Sequence, residues 1–529
     1  MIRVPVSSLL LGTFAASLAL TLACGGTEDK PANAGGGSGT GGGGAVGGST
    51  TGGTGGAATG GSGGSPTGGS AGSGMAGSGV MNGGSAGSGT AGTGSPGACT
   101  VTATETLATD IQTVFNVEFT TTAASVSKAE IQFGADTTYG YTAPVDLTAT
   151  NYKTPLLGMK QDTDYHYRVV VTSAGGTCMT EDKVIHTELL ANGLPTVTVD
   201  TKVPDKVTGG FLVSEWYSGS GTGGNQNAFI LDKDGDLVWA FNPKIGDLTR
   251  ARMSIDGKYM WMAHGNVPSG PGKMARVAMD GSGLVDMSDK FVRLNHDFTI
   301  LPDANQTMYF IAYGADSAKC DDIVEFDPVT GMNRTVLNIG TAFTNGACHS
   351  NAIQYSEEDD TLVFSDLDHD AYVKVNRMTG AVIWVLGANC TSSGKCDTKA
   401  MATENDNDFT GDASQWDNQH NLHMLGKDHF LFFNNGDGSG SNVLEVMLDT
   451  GAKTATKMWS YAPSPTIANA IMGDVQRMPN GNTIIAYSLQ GLIHEVDSTG
   501  TLVETLSWGL GSPLGYFIKT PTLYGAPPR

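Results

Sequence analysis

Positive charge is scarce in this chain. Thirty lysines and arginines face 52 aspartates and glutamates, for a formal net charge of −22. With the basic residues spread thinly, that balance argues against nucleic acid as a partner. Charge of either sign is missing from Pro31 to Thr104, where 31 of the 75 glycines lie between Gly35 and Gly97 and Ser, Thr and Ala fill most of the rest. Such a stretch has nothing with which to offset its ordering entropy, so 25–97 reads as a flexible linker with an r.m.s. reach of roughly 45 Å. Long hydrophobic runs are also lacking: the apolar run from Leu9 to Leu22 is too short to span a membrane stably. Only seven cysteines occur and none form a CxxC pair, which disfavours a thiolate metal site.

What is present begins with an export signal over 1–24. Arg3 supplies a basic start, Leu9 to Leu22 the apolar core, and Leu22-Ala23-Cys24 a small-residue cleavage site. Cysteine directly after a small residue resembles the bacterial lipoprotein signal, which implies a lipid on Cys24 and a place in the cell envelope, periplasm-facing or on the surface. An ordinary cleaved secretory signal is the alternative, and gives export as well. In that setting Cys24 is the lipid site and the other six cysteines form an even disulfide set. Cys99 pairs with Cys178 across the first folded segment, Cys320 with Cys348 ahead of a histidine strand, and Cys390 with Cys396 within an inserted loop.

The segment 98–190 reads as a small β-sandwich. Val114 to Phe119 and Lys128 to Phe133 alternate apolar and polar residues, as half-buried strands do. Thr163-Asp164-Tyr165-His166-Tyr167-Arg168-Val169 resembles the fibronectin type III pattern, with a tyrosine at the corner entering the penultimate strand. A spacer or a lid is the expected role.

From about 205 to 529 the chain repeats. Six strands run into a turn glycine, at Gly235, Gly281, Gly331, Gly380, Gly451 and Gly500, spaced 46, 50, 49, 71 and 49 residues apart. A period near 50 built of short strands and turns is the signature of a β-propeller, and six copies predict six blades. The expected fold is therefore all-β, a six-bladed propeller preceded by the sandwich. The long interval holds an insertion, Asn389 to Trp416, just before His420.

Three histidines open hydrophobic strands: Asn295-His296-Asp297-Phe298, Cys348-His349-Ser350-Asn351 and Gln419-His420-Asn421. Each is followed by a polar turn and a second strand, such as Pro302 to Gln306 and then Met308 to Ala312. The start of a blade's innermost strand lines the central channel, so His296, His349 and His420 converge if they hold the same position in successive repeats. Gly473-Asp474-Val475 has the same phase in another blade. Three imidazoles at one mouth can be a metal site, an acid–base set, or a nucleophile with helpers.

Several stretches together resemble the arylsulfate sulfotransferase family. They are His349-Ser350-Asn351 through Leu362-Val363-Phe364, Lys374 to Trp384, Gln419-His420 followed by Phe430 to Gly436, and Gly473 to Asn482. The resemblance covers about 205–525. It implies a six-bladed propeller that moves a sulfuryl group from an aryl sulfate to a phenol by a ping-pong route, with no cofactor. It also implies that His420 is the nucleophile that becomes sulfated, that His296 and His349 assist, that Asn351 binds a sulfuryl oxygen, and that the Cys390–Cys396 loop lies near the site. The chain departs from the family at Leu367, 18 residues after His349, where the family has an arginine that grips the sulfuryl oxygens. Loss of one such donor typically costs about 3 kcal/mol. His369 and Arg293 are the neighbours able to supply charge in its place.

Other readings stay open beside this one. Leu367, the tether and the sandwich also suit a non-catalytic surface-binding propeller. The channel histidines suit a metal-dependent hydrolase, although no metal site is assigned. Asn376 to Trp384 resembles the tryptophan-docking repeat of quinone-dependent dehydrogenases. His423, three residues after His420, falls on the opposite face of a regular strand and is expected in a core or surface role. His264 is expected to be structural. Asp232 to Asp236 reads as a β-turn rather than a calcium loop, and Glu404 to Asp408 as an acidic loop. Asn435 to Gly440 reads as a loop without the helix or lysine of a phosphate cradle. Trp239, Trp384, Trp459 and Trp508 are expected to pack between blades. Oligomeric state is not legible, and a homodimer stays open. The partners are small phenols and aryl sulfates, with the membrane reached only through the lipid.

Overall fold

A computed structural model describes residues 99–191, 193–217, 226–265, 272–314, 321–343, 349–387, 407–411, 416–508 and 513–525. The signal, the tether, Cys24, Cys320, Cys348, Cys390, Cys396 and most of the insertion lie outside the described residues. Among those described there is no α-helix, and the chain is built from strands and three short 3-10 turns.

The first folded segment consists of two antiparallel sheets. One joins Val101–Leu107, Phe115–Thr121 and Thr154–Leu156; the other is centred on Val126–Gly134 and Asp164–Ser173. Alternation along these strands buries Val117, Phe119, Ile131, Phe133, Tyr167, Val169 and Val171 between the sheets. Cys99 and Cys178 form the expected disulfide, closing a span of 79 residues. The Tyr165 hydroxyl takes the Lys160 N–H at 2.9 Å, which secures the bend entering Asp164–Ser173.

Six further sheets follow, each holding a four-strand antiparallel run. Their leading strands are Ile518–Thr520, Arg250–Met253, Leu294–Ile300, Ser350–Ser356, His420–Gly426 and Asp474–Arg477. The first sheet is completed from the far end of the chain: Ile518–Thr520 pairs with Phe211–Glu215, over 300 residues earlier. Every leading strand contributes to the lining of a common cavity of about 80 Å³, through Ile518, Arg250, Thr299, Gln354, Asn421 and Asp474 among others. The six leading strands therefore surround one axis.

The repeated glycine turns all join the third and fourth strands of these four-strand runs. In five of them the glycine has positive φ, from 68° to 84°. In the fifth sheet that conformation falls instead on Lys453, at φ 57°. Each interior strand is a nearly continuous buried run, as in Phe430-Leu431-Phe432-Phe433, because each sheet is covered on both faces.

The four tryptophans reach from one sheet to the next, as expected. Trp239 donates to the Met279 carbonyl at 2.9 Å, Trp384 to Asp428 at 3.1 Å, Trp459 lies against the Arg477 guanidinium, and Trp508 packs on Phe229.

The 99–187 segment shares a core with the first and second sheets. Ala108, Ile111, Val114 and Leu157 join Trp216, Phe229 and Trp239 in one cluster. Lys160 places its ammonium among Asp232, Asp234 and Asp236 at 3.3, 3.1 and 2.6 Å. The acidic turn is thus a β-turn, with a lysine seated where a calcium loop would hold its ion.

Candidate active site

Each histidine is delivered by an irregularity at the start of a leading strand. In the third sheet Asn295 faces Ile311 and Phe298 faces Phe310, so His296 and Asp297 are extra residues. In the fifth, His420 faces Phe433 and Leu422 faces Phe432, with Asn421 inserted between. In the fourth, Asn351 is the inserted residue and His349 precedes the strand. The three histidines therefore do not hold one repeated position, because His349 lies one residue further upstream than the others. His296 itself has φ 47° and Asn421 φ 32°, strained values that a β-bulge accommodates.

They do come together. The rings of His296 and His349 lie 5.2 Å apart between centroids, tilted by 41°. Burial holds the His296 imidazole well below its ordinary pKa, and the proximity of His349 and His420 adds to the effect. His296 is thus neutral at neutral pH. Its Nδ1 meets Asn295 Oδ1, and its backbone N–H donates to the Gly265 carbonyl at 3.0 Å. That approach needs glycine, since a Cβ at Gly265 would lie 2.8 Å from the His296 nitrogen.

His420 is buried, and its tautomer follows from its partner. Asn435 donates through Nδ2 to the carbonyls of Asn469 and Met472, at 2.7 and 2.8 Å. Its Oδ1 must then face His420, where it accepts from Nδ1 at 2.9 Å. An imidazole protonated at Nδ1 keeps its lone pair at Nε2. Exchanging this amide for a carboxylate in Asn435→Asp should raise the His420 pKa by about one unit or more. An NMR titration of the His420 ring would read it, and an unchanged or lowered value would contradict the assigned tautomer.

Asn351 is fully buried. Its Nδ2 donates to the Gln419 carbonyl at 2.8 Å, and its own carbonyl takes the Tyr516 hydroxyl at 2.7 Å. Asn351 thus links the His349 and His420 strands. The Leu367 N–H donates to the His349 carbonyl at 3.0 Å, so the residue standing at the family's arginine position does sit beside His349. Arg293 is engaged elsewhere, on Asp322 at 3.0 Å and on the Tyr313 carbonyl.

Next to His296, and joined to it through the adjacent Asp297, lies a buried ionic layer that the sequence did not reveal. Arg250 is within 3.2 Å of Asp297 and 3.3 Å of Asp474. Glu215 accepts the N–H groups of Ala251 and Tyr516. Burial raises the Asp474 pKa to about 6 and that of Glu215 to about 8. His423 lines the same cavity as Arg250 and Asp474, and its Nδ1 accepts the Arg477 N–H at 3.0 Å. The bulge at Asn421 cancels the odd spacing and returns His423 to the same face as His420, contrary to the regular-strand expectation. His264 is structural, bonded through Nδ1 to the Asp247 carbonyl. Among the described residues, no three His, Cys, Asp or Glu side chains are placed to hold a metal ion.

The arylsulfotransferase (ASST) family model matches residues 196–509, more than half of the chain. The chain belongs to the arylsulfotransferase family. No curated protein matches the chain. Solved structures similar to it include a Bacteroides caccae protein of unknown function, 11% identical, with 59% of this chain and 98% of that one covered at a TM-score of 0.38. A Myceliophteria thermophila Cps50 (Swd1) β-propeller domain is 9% identical, over 59% and 89% of the two chains, at a TM-score of 0.37. A streptogramin B lyase is 11% identical, over 60% and 87%, at a TM-score of 0.35. At such values these likenesses say nothing of activity. Family membership supports an aryl sulfotransferase type of function, with aryl sulfates and phenols as the substrate class.

Proposed function

We propose that this protein is an exported sulfotransferase that carries a sulfuryl group from an aryl sulfate to a phenol through a sulfohistidine at His420. The observation that carries the reading is the Asn435 amide, whose two carbonyl contacts leave only Oδ1 for His420. Nε2 of His420 attacks sulfur while the S–O(aryl) bond breaks and the phenolate departs with its electron pair. The ring then carries a positive charge, steadied by the Nδ1–H to Asn435 bond. A second phenol attacks the same sulfur, the S–N bond breaks with its electron pair returning to Nε2, and the proton the acceptor gives up balances the one the departed phenolate takes. Two displacements at one nucleophile give ping-pong kinetics.

His296 and His349 flank the transferred group, and the second Nδ2 hydrogen of Asn351, the one not given to the Gln419 carbonyl, is the donor to a sulfuryl oxygen. Donors fixed in a water-poor site stabilise the charge that spreads over those oxygens. In this reading the six sheets are the blades of one propeller and 98–190 is a fibronectin III-like sandwich. Cys24 carries the lipid, and Cys320–Cys348 and Cys390–Cys396 staple loops near the site. A second reading, a surface propeller that binds aryl sulfates without turning them over, draws on Leu367.

Intact-protein mass spectrometry after mixing with a nitrophenyl sulfate separates the two. A gain of one sulfuryl group, mapped to His420, is the expected result. Folded protein showing neither adduct nor nitrophenol release would overturn sulfotransfer and favour the binding propeller.

A further inference from the structure

One buried ionisable pair beside the site has no part in the transfer as written above. Asp366 and His369 lie on the turn between Thr361–Asp366 and Ala371–Asn376, and both side chains are fully buried. His369 Nδ1 is 2.7 Å from Asp366 Oδ1, which also takes the His369 backbone N–H at 3.2 Å. The other carboxylate oxygen takes the Ser350 hydroxyl at 2.9 Å. The ring lies flat on Phe343, with centroids 3.9 Å apart. Its Nε2 has no hydrogen-bond partner among the described residues. Leaving a buried polar atom unpaired is costly, so such a group is suited to take a partner that the reaction supplies.

The turn is bound to both histidine strands. On one side Leu367 donates to the His349 carbonyl, and Ser350, next to His349, donates to Asp366. On the other side Gln419 donates to the Asp366 carbonyl at 2.9 Å, and the Asn418 N–H to Asp370 at 2.8 Å. His369 thus stands between the segments that deliver His349 and His420.

Its partner also distinguishes it. His420 and His296 rest on asparagine amides, whereas His369 rests on a carboxylate. A carboxylate only accepts, so Nδ1 keeps its proton and Nε2 is the atom that exchanges one. A carboxylate stabilises an imidazolium far more than an amide does. The charged and titratable neighbours are Asp368 and Asp370 on the turn itself, His349, and Asp321 from the third sheet. Burial pushes the Asp321 carboxyl well above its ordinary pKa, and its Oδ2 accepts the Ser350 N–H at 2.8 Å.

We propose that His369, oriented by Asp366, is the general base for the acceptor phenol. The inference rests on the sulfohistidine reading. As the acceptor oxygen bonds to sulfur, its proton passes to His369 Nε2, and the S–N pair returns to His420. The imidazolium gives that proton to the phenolate released in the next cycle.

The test is a stopped-flow comparison of wild type and His369→Gln, with nitrophenyl sulfate as donor and phenol as acceptor. Nitrophenolate needs no proton in order to leave, so the burst that reports His420 sulfation should persist. Transfer to phenol should fall by about 10²–10⁴. The deficit should shrink for more acidic phenols, which a merely structural role would not produce. Should the variant fail to fold, wild type alone decides. Its transfer step should slow below an ionisation that the burst does not show, and a shared profile overturns the proposal. Equal losses in both steps, or none, also overturn it. A wild type without any burst removes the sulfohistidine reading itself.

Discussion

His420→Ala should lower aryl sulfate turnover by on the order of 10⁴–10⁶ and abolish the sulfuryl adduct, while the protein stays folded. Losses of that size are typical when a covalent nucleophile is removed and its helpers are left in place. The fold should survive because the Nδ1–H of His420, placed between Asn435 Oδ1 at 2.9 Å and the Asn418 carbonyl at 3.2 Å, supports groups that are anchored elsewhere as well. Removing that donor leaves Asn435 Oδ1 buried and unpaired, a cost of about 1–3 kcal/mol. Asn435 itself stays anchored by the Asn469 and Met472 carbonyls, and Asn351 still links the strands through the Gln419 main chain. Turnover by purified His420→Ala within tenfold of wild type would mean that another group attacks sulfur. An adduct retained on the variant would identify that group directly by peptide mapping.

Much of this architecture is legible in the chain because it depends on local chemistry. Turn glycines recur where third strands meet fourth strands, and a tryptophan recurs soon after four of those turns to reach the next sheet. The convergence of His296, His349 and His420 follows once strand starts are placed around one axis. Parity is less legible. An inserted residue at Asn421 shifts His423 to the face that regular alternation assigns away from His420. Partners are harder still. Nothing in Asn434-Asn435-Gly436 says that one amide fixes the His420 tautomer, since its own contacts come from 34 and 37 residues downstream. The same holds for the ionic layer, whose members Arg250, Glu215, Asp297 and Asp474 come from four different sheets. The Asp366–His369 pair is spaced three apart in sequence, but its burial and its unpaired nitrogen only become visible in the fold.

That Arg250 layer supports the second large expectation: Arg250→Met should destabilise the protein by roughly 3–5 kcal/mol, the usual cost of removing one partner from a buried ionic cluster. The guanidinium is fully buried between Asp297 and Asp474 and lies over the Tyr516 ring. Without it the largest influence favouring the ionised forms of Asp474 and Glu215 disappears, and only their hydrogen bonds are left to oppose burial. Their pKa values are already raised in the wild type, Asp474 from 3.8 to about 6 and Glu215 from 4.5 to about 8. A carboxyl whose folded pKa exceeds its unfolded value binds protons more tightly in the native state. Its contribution is full below the unfolded pKa and is lost as pH rises through the folded one. Wild-type stability should therefore decline between about pH 4 and 8 through these two groups. The Met variant raises both folded values further, because Arg250 is the first opposing influence on each. Its deficit relative to wild type should be small at pH 5 and large at pH 8.5. Denaturant midpoints of both proteins at the two pH values measure this directly. A deficit that does not change with pH would mean that Arg250 acts through packing on Tyr516 rather than through charge.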